Sequence, residues 1–333
     1  MTNLIEKATK NISDILRDAI LYTPSETAVI IFDRQAPLTR ILTDAYRQAI
    51  PNGQFIDFDT VTAAEILDTI KRLQPKDLVI LVQSANFRLN EFRIRIELFQ
   101  RDLKTIEHIH LARMDESQFE TYIDALAYDP SYYRPLGRAL KEKLDQAQKI
   151  VVECDGATLT YDGPMEDARL NIGDYSGMKN VGGTFPIGEV FSEAKDLATV
   201  NGEVKIFSYA GEDHVVRIVE PFRAIIERGI LRAPEAPEEF QRILDLIRLD
   251  EEVFVREFGL SLNPAMSKHR IVNDITAFER QRGLHLSLGA KHATYPKPGL
   301  KRKDGRYHVD VFVDVKKIIV NNEVLFEKEN FIV

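Results

Sequence analysis

The sequence predicts an α/β domain with a mainly parallel sheet over residues 1–148, followed by a β-rich α+β domain over residues 149–333. Three observations carry this expectation. Short apolar runs alternate with amphipathic ones through the first half, which is the pattern of a parallel sheet covered on both faces. After about residue 148 the pattern changes to strand-and-turn signals of antiparallel pairing. A length of 333 residues is enough for two separate cores.

In chain order, TAVIIFD (27–33) reads as a buried strand and TRILTDAYRQAI (39–50) as a helix, with Ile41, Leu42, Ala45 and Ile50 on one side. GQFIDFD (53–59) is strand-like, TAAEILDTIKRL (62–73) helical and DLVILVQ (77–83) a strand. RLNEFRIRIELFQRDL (88–103) is expected as a helix, TIEHIHLAR (105–113) as a further strand, and two helices fill 115–147. FDRQAP follows the first strand where a dinucleotide-binding fold would place G-x-G-x-x-G, so that fold is not supported. In the second half, KIVVECDGATLTYDG carries Asp155-Gly156 between two apolar stretches, a hairpin signal. VKIFSYAGEDHVVRIVEP and GRYHVDVFVDVKKIIVNNEVLFE read as antiparallel strands, with one clear helix, APEEFQRILDLIRLDEE (236–252), between them. There are no internal repeats.

The composition narrows the functional classes. A net charge of −8 and a pI near 5.5 argue against nucleic acid as a partner. The basic stretch KPGLKRKDGR (297–306) reads as a solvated loop. The single cysteine, Cys154, excludes an intrachain disulfide and suits a reducing compartment; in its strand it reads as a small core residue. The N-terminus carries charges throughout, and no apolar run approaches membrane-spanning length. The expected location is the cytoplasm, with no membrane partner.

The candidate chemistry lies in the second half. Four of seven histidines fall between residues 269 and 308. In GLHLSLG (283–289) the leucines share one face of a strand, and His285 shares the other with Ser287. In YHVDVFVD (307–314), Val309, Val311 and Val313 share one face, while His308, Asp310 and Phe312 share the opposite one. A wet outer face would explain either strand alone. Two strands offering imidazoles and a carboxylate make a plausible divalent-metal site. NVGGTFPIGEVF (180–191) and VREFGLSLNP (255–264) add Glu189 and Glu257 beside Gly/Pro-rich turns, and Glu279 lies six residues before His285.

In this order, GGTFPIGEVF, EFGLSLNP, GLHLSLG and HVD resemble the motifs of the thermophilic-type metalloaminopeptidases, the family of aminopeptidases T, S and II. The resemblance covers the second half well and the first half only through its α/β alternation. It implies that Glu189, Glu257, His285, His308 and Asp310 hold two divalent ions, such as zinc, cobalt or manganese. It implies Glu279 as general base, Tyr295 before Pro296 as the catalytic tyrosine with His292 as the alternative, a peptide substrate and a homodimer. The segment ahead of His285, AFERQRG, departs from the family's pattern. Two further readings use the same residues. His285, His308 and Asp310 alone would make a single-Fe(II) centre, as in the distantly similar dihydroxypyridine ring-cleaving dioxygenases. A degenerate member of the fold would bind metal without turnover.

Overall fold

The computed structural model describes residues 2–89, 92–289, 295, 297 and 307–333. His292 and residues 298–306 of the basic stretch therefore lie outside the described residues.

The chain divides into two compact units, and neither is contiguous. The first comprises Met1–Arg134, Ile172–Ile187 and Arg270–Ala277; the second comprises Pro135–Asn171, Gly188–His269 and Phe278–Val333. This differs from the expected single boundary at residue 148 for two reasons. The division falls inside helix α6 (Pro130–Asp145), at Pro135. The later half of that helix holds the second unit's chain, where Lys141 Nζ donates to the Ala168 carbonyl and the Ala168 N–H donates to Asp145. In addition, Gly182–Thr184 (β10) returns to the first unit's sheet.

That sheet is wholly parallel, in the order β10-β6-β3-β1-β2. Its strands are β1 (Ala28–Phe32), β2 (Gln54–Asp57), β3 (Leu78–Val82) and β6 (Lys104–His108), and β1, β3 and β6 are buried along their whole length. β10 closes onto β6 through Gly182, where a Cβ would lie 1.9 Å from the Thr105 carbonyl oxygen. Only glycine permits that approach. Helix α1 (Thr2–Asp14) precedes the first strand. Helices α2 (Pro37–Ala49) and α3 (Ala63–Arg72) follow as the periodicity predicts, α3 opening with a Thr62–Glu65 capping box. The core packs Val29, Ile31, Val79 and Leu81 against Ile66 and Ile70. The helix expected over 88–103 is shorter than predicted. A two-residue ladder of β4 (Arg88–Leu89) and β5 (Phe92–Arg93) precedes α4 (Ile94–Gln100). The helix ends where Asp102 adopts a left-handed φ of 58°. Helix α5 (Phe119–Ala125) and α6 account for the two predicted over 115–147.

One buried polar chain lies in this unit. Tyr122 donates its hydroxyl to the Phe185 carbonyl at 3.2 Å, so it accepts from His108 Nδ1–H at 3.0 Å. His108 Nε2 then accepts from the Tyr46 hydroxyl at 2.8 Å. Every group has a partner with the imidazole neutral, and burial pushes the His108 pKa down to about 3.

The second unit is built on a thirteen-stranded antiparallel sheet. Its strands are β7 (Lys149–Cys154), β8 (Ala157–Asp162), β9 (Arg169–Asn171), β11 (Glu189–Ser192), β12 (Val200–Ala210), β13 (Val216–Glu227) and β14 (Ile230–Arg232). They continue with β15 (Val255–Ser261), β16 (Gly283–Gly289), β17 (His308–Val313), β18 (Val315–Val320), β19 (Glu323–Glu327) and β20 (Asn330–Phe331). Helix α7 (Glu238–Arg248) is the one predicted over 236–252. The run β12-β17-β16-β15-β11-β9 places the four sequence motifs on neighbouring strands. No helix among the described residues is long and apolar enough to cross a membrane.

Candidate metal centre

The strand order explains how separated segments meet. β11 pairs with β15 so that Glu189 stands opposite Ser261, and β15 pairs with β16 so that Gly259 stands opposite His285. β16 pairs with β17, setting Ser287 opposite Asp310 and His285 opposite Phe312. With a period of two, Glu189, Glu257, Gly259, Ser261, His285, Ser287 and Asp310 share one face. That face is not wet, since His285 and Ser287 are wholly buried and Asp310 is 6% exposed.

Gly259 creates the space for the histidine. A Cβ there would lie 2.0 Å from His285 Cε1 and 2.2 Å from Nε2, so the ring lies directly over the bare backbone of β15. Ser261 fixes the ring's orientation. Its hydroxyl donates to the Glu279 carbonyl at 2.5 Å and must therefore accept from His285 Nδ1–H at 3.0 Å. The other nitrogen, Nε2, is left facing Glu189 Oε1 at 3.3 Å and Glu257 Oε1 at 3.4 Å. One ligand atom from each of these three residues lies within 4.8 Å of the others, and they are the one group of this kind among the described residues.

The set fits a divalent cation. A ring nitrogen with its partner nitrogen tied to a hydrogen-bond acceptor is the usual arrangement of a metal-ligating histidine. Two carboxylates complete a donor set suited to zinc-like ions. Next to it, Asp310 Oδ1 is buried without a hydrogen-bond partner. It faces His308 Nε2 at 3.2 Å as an ion pair. Without one, burial opposes charge on His285, but Glu189 and Glu257 outweigh it and hold the imidazole pKa well above its ordinary value. Burial likewise works to raise Glu189, but Arg280 and His285 hold it below the ordinary carboxylate range.

Arg280 is the residue that sequence reasoning missed. It is 8% exposed, and its Nη1 lies 2.5 Å from Glu189 Oε2 while Nη2 lies 2.8 Å from Glu279 Oε1. The end of β15 pins its backbone, since the Asn263 N–H donates to the Arg280 carbonyl at 3.0 Å. Burial pushes the Glu279 carboxyl up to about 8, with Glu189 and Asp310 adding to the rise and Arg280 opposing it. The only hint in the sequence was a charged run, ERQR, directly ahead of a fully buried strand.

The remaining predicted residues fall outside the Glu189–Glu257–His285 group. His308 is partly exposed and stands opposite Gly289; its Nε2 lies 3.2 Å from Asp310 Oδ1 as an ion pair outside hydrogen-bond geometry. Burial works to raise Asp310, but His308 outweighs it and holds the carboxyl at about 2. Two pair-steps of register, roughly 13 Å of strand, separate the His308 and His285 positions. Tyr295 is buried, and its hydroxyl donates to the Asp167 carbonyl at 2.8 Å, with the Phe191 carbonyl at 3.3 Å. Its one proton is held by backbone oxygens rather than by the Glu189–His285 group. His292 falls outside the described residues.

The chain thus joins a parallel α/β unit to a large antiparallel, β-rich unit. Among solved structures this fold is similar to that of wild-type AmpT from Thermus thermophilus, with a TM-score of 0.62, 13% identity, and coverage of 98% of this chain and 99% of that one. No family model matches the chain, and no curated protein matches it.

Proposed function

We propose that the chain is a metal-dependent hydrolase that releases N-terminal amino acids from peptides. The observation that carries this reading is the convergence of Glu189, Glu257 and His285 from three neighbouring strands, with the imidazole's Nδ1 already committed to Ser261. The fold it shares with AmpT is what favours an aminopeptidase over other metal-dependent chemistry. Glu189, Glu257 and His285 would hold a divalent ion, with Asp310 adjoining. A bound ion of this kind supplies Lewis-acid polarisation of a carbonyl and a water of lowered pKa.

The protein's own residues do the rest. Gly259 and Ser261 orient the histidine ring. Glu279, beside the ligands, is placed to take or return a proton. The Arg280 guanidinium, paired with both Glu189 and Glu279, fixes the positions of the two carboxylates. The single-iron reading needs His285, His308 and Asp310 on one ion. The register that sets His308 opposite Gly289 gives it no support.

The test is a panel of aminoacyl-p-nitroanilides assayed before and after chelation. Activity is expected to disappear on chelation and to return with cobalt or zinc. Full turnover in the stripped protein would overturn the proposal.

A further inference from the structure

We propose that Arg280 stands in for a second cation, so that the centre takes a single divalent ion at Glu189, Glu257 and His285. This rests on the metal-dependent reading above and replaces the two-ion expectation with one ion and one guanidinium.

The argument begins with Glu189. Its two oxygens face different partners, Oε1 towards His285 Nε2 at 3.3 Å and Oε2 towards Arg280 Nη1 at 2.5 Å. Five side chains serving two ions would require a bridging carboxylate, and Glu189, with Oε2 held by Arg280, cannot bridge through both oxygens. The guanidinium cannot step aside by losing charge, because arginine stays protonated in proteins. Nor is it a loose surface group. It is 8% exposed, its backbone carbonyl is held by Asn263, and its two terminal nitrogens fork between Glu189 and Glu279. Its Nε is buried without a hydrogen-bond partner, so the head is held through its two terminal nitrogens.

The charges agree. Glu189, Glu257 and Asp310 are balanced by one dication and the guanidinium, with no hydroxide required. Asp310 Oδ1 faces His308 Nε2 at 3.2 Å, so its charge is shared with a group outside the Glu189–Glu257–His285 set.

The experiment is metal stoichiometry. The full chain is stripped with chelator, dialysed against zinc(II) or cobalt(II), and its metal-to-protein ratio measured by mass spectrometry, with titration calorimetry for affinity. The wild type is expected to bind one equivalent. Arg280→Gln frees Glu189 Oε2, and its ratio is expected to rise towards two. Arg280→Lys keeps the charge and is expected to stay at one. A wild-type ratio of two would overturn this inference and leave the hydrolase reading standing. A ratio of zero would overturn both. A folded Arg280→Gln protein that stays at one would show that Arg280 is not what excludes the second ion. Should that variant fail to fold, the wild-type and Arg280→Lys ratios still decide the matter.

Discussion

His108 and His285 are both wholly buried, and their surroundings drive them in opposite directions. Around His108 stand two phenols and a backbone carbonyl, with no charged side chain bonded to the ring. Burial wins there, and the imidazole stays neutral down to about pH 3. Around His285 stand one hydroxyl and two carboxylates. There the carboxylates win over burial, and the ring holds a proton well above its ordinary range. The first site closes its hydrogen bonds and is complete. The second gathers charged groups and presents a ligand nitrogen to two anions. A buried polar network of neutral groups that satisfies itself is structural, whereas a buried cluster of charged, ligand-type side chains is a candidate functional site.

Exchanging the two histidines' fates is the sharpest way to break this contrast. His285→Ala removes the only nitrogen of the Glu189–Glu257–His285 group, and divalent-ion affinity by calorimetry should fall at least ~100-fold. His108→Leu should leave that affinity unchanged. Equal losses in both variants would mean that the two sites do not differ in kind. Gly259→Ala attacks the same ring from below. The added methyl would meet His285 Cε1 at 2.0 Å, so the ring must move off Glu189 and Glu257. The expected cost is roughly 10- to 100-fold in ion affinity and about 1–3 kcal/mol in stability from overpacking. Unchanged ion binding would show that the ring position is not what makes the site.

Acid should single out the other histidine. Above pH 6.5 His108 is neutral whether the chain is folded or unfolded, and its contribution is complete. As pH falls from 6.5 towards about 3, only the unfolded chain takes the proton, so stability is lost across that window. At pH 4.5 the loss from this group is on the order of 2–3 kcal/mol. Denaturant unfolding of wild type and His108→Leu at pH 7.5 and 4.5 checks it. The variant should lose less than the wild type on acidification. Parallel losses in both would place the acid sensitivity elsewhere.

How far the sequence revealed these two sites follows from where their partners come from. The parallel sheet was legible because TAVIIFD and DLVILVQ are buried on both faces and read as continuous apolar runs. Glu189, Glu257 and His285 were legible because each sits in a patterned strand beside a turn. His308 looked equivalent to His285, since both share a face with period two. Only the register, with His308 opposite Gly289 and His285 opposite Phe312, separates them, and register is a property of pairing, not of one strand. Arg280 was hidden for a similar reason. In AFERQRG it reads as a solvated charge, and it is drawn inward by a glutamate on another strand and by Asn263 at the end of β15. The single boundary at residue 148 missed the return of Gly182–Thr184 to the first sheet, because GGT alone carries too little apolar signal to read as a strand.

The smallest expected effect tests the tether. Ser261 donates to the Glu279 carbonyl at 2.5 Å and accepts from His285 Nδ1–H, so a single hydroxyl sets both the tautomer of the ligand histidine and the position of the backbone that carries Glu279 and Arg280. Ser261→Ala leaves Nδ1–H and the carbonyl without these partners in a buried site, a loss of about 1–3 kcal/mol in stability. It should weaken ion binding by ~10-fold, the lower end of what an outer partner of a metal ligand is worth. Nitrogen-15 NMR of the wild-type imidazole should place a proton on Nδ1 both with and without zinc, and binding should displace only the proton on Nε2. A zinc-bound histidine protonated on Nε2 instead would reverse the assignment, leaving Ser261 as packing and Glu189 and Glu257 without their nitrogen.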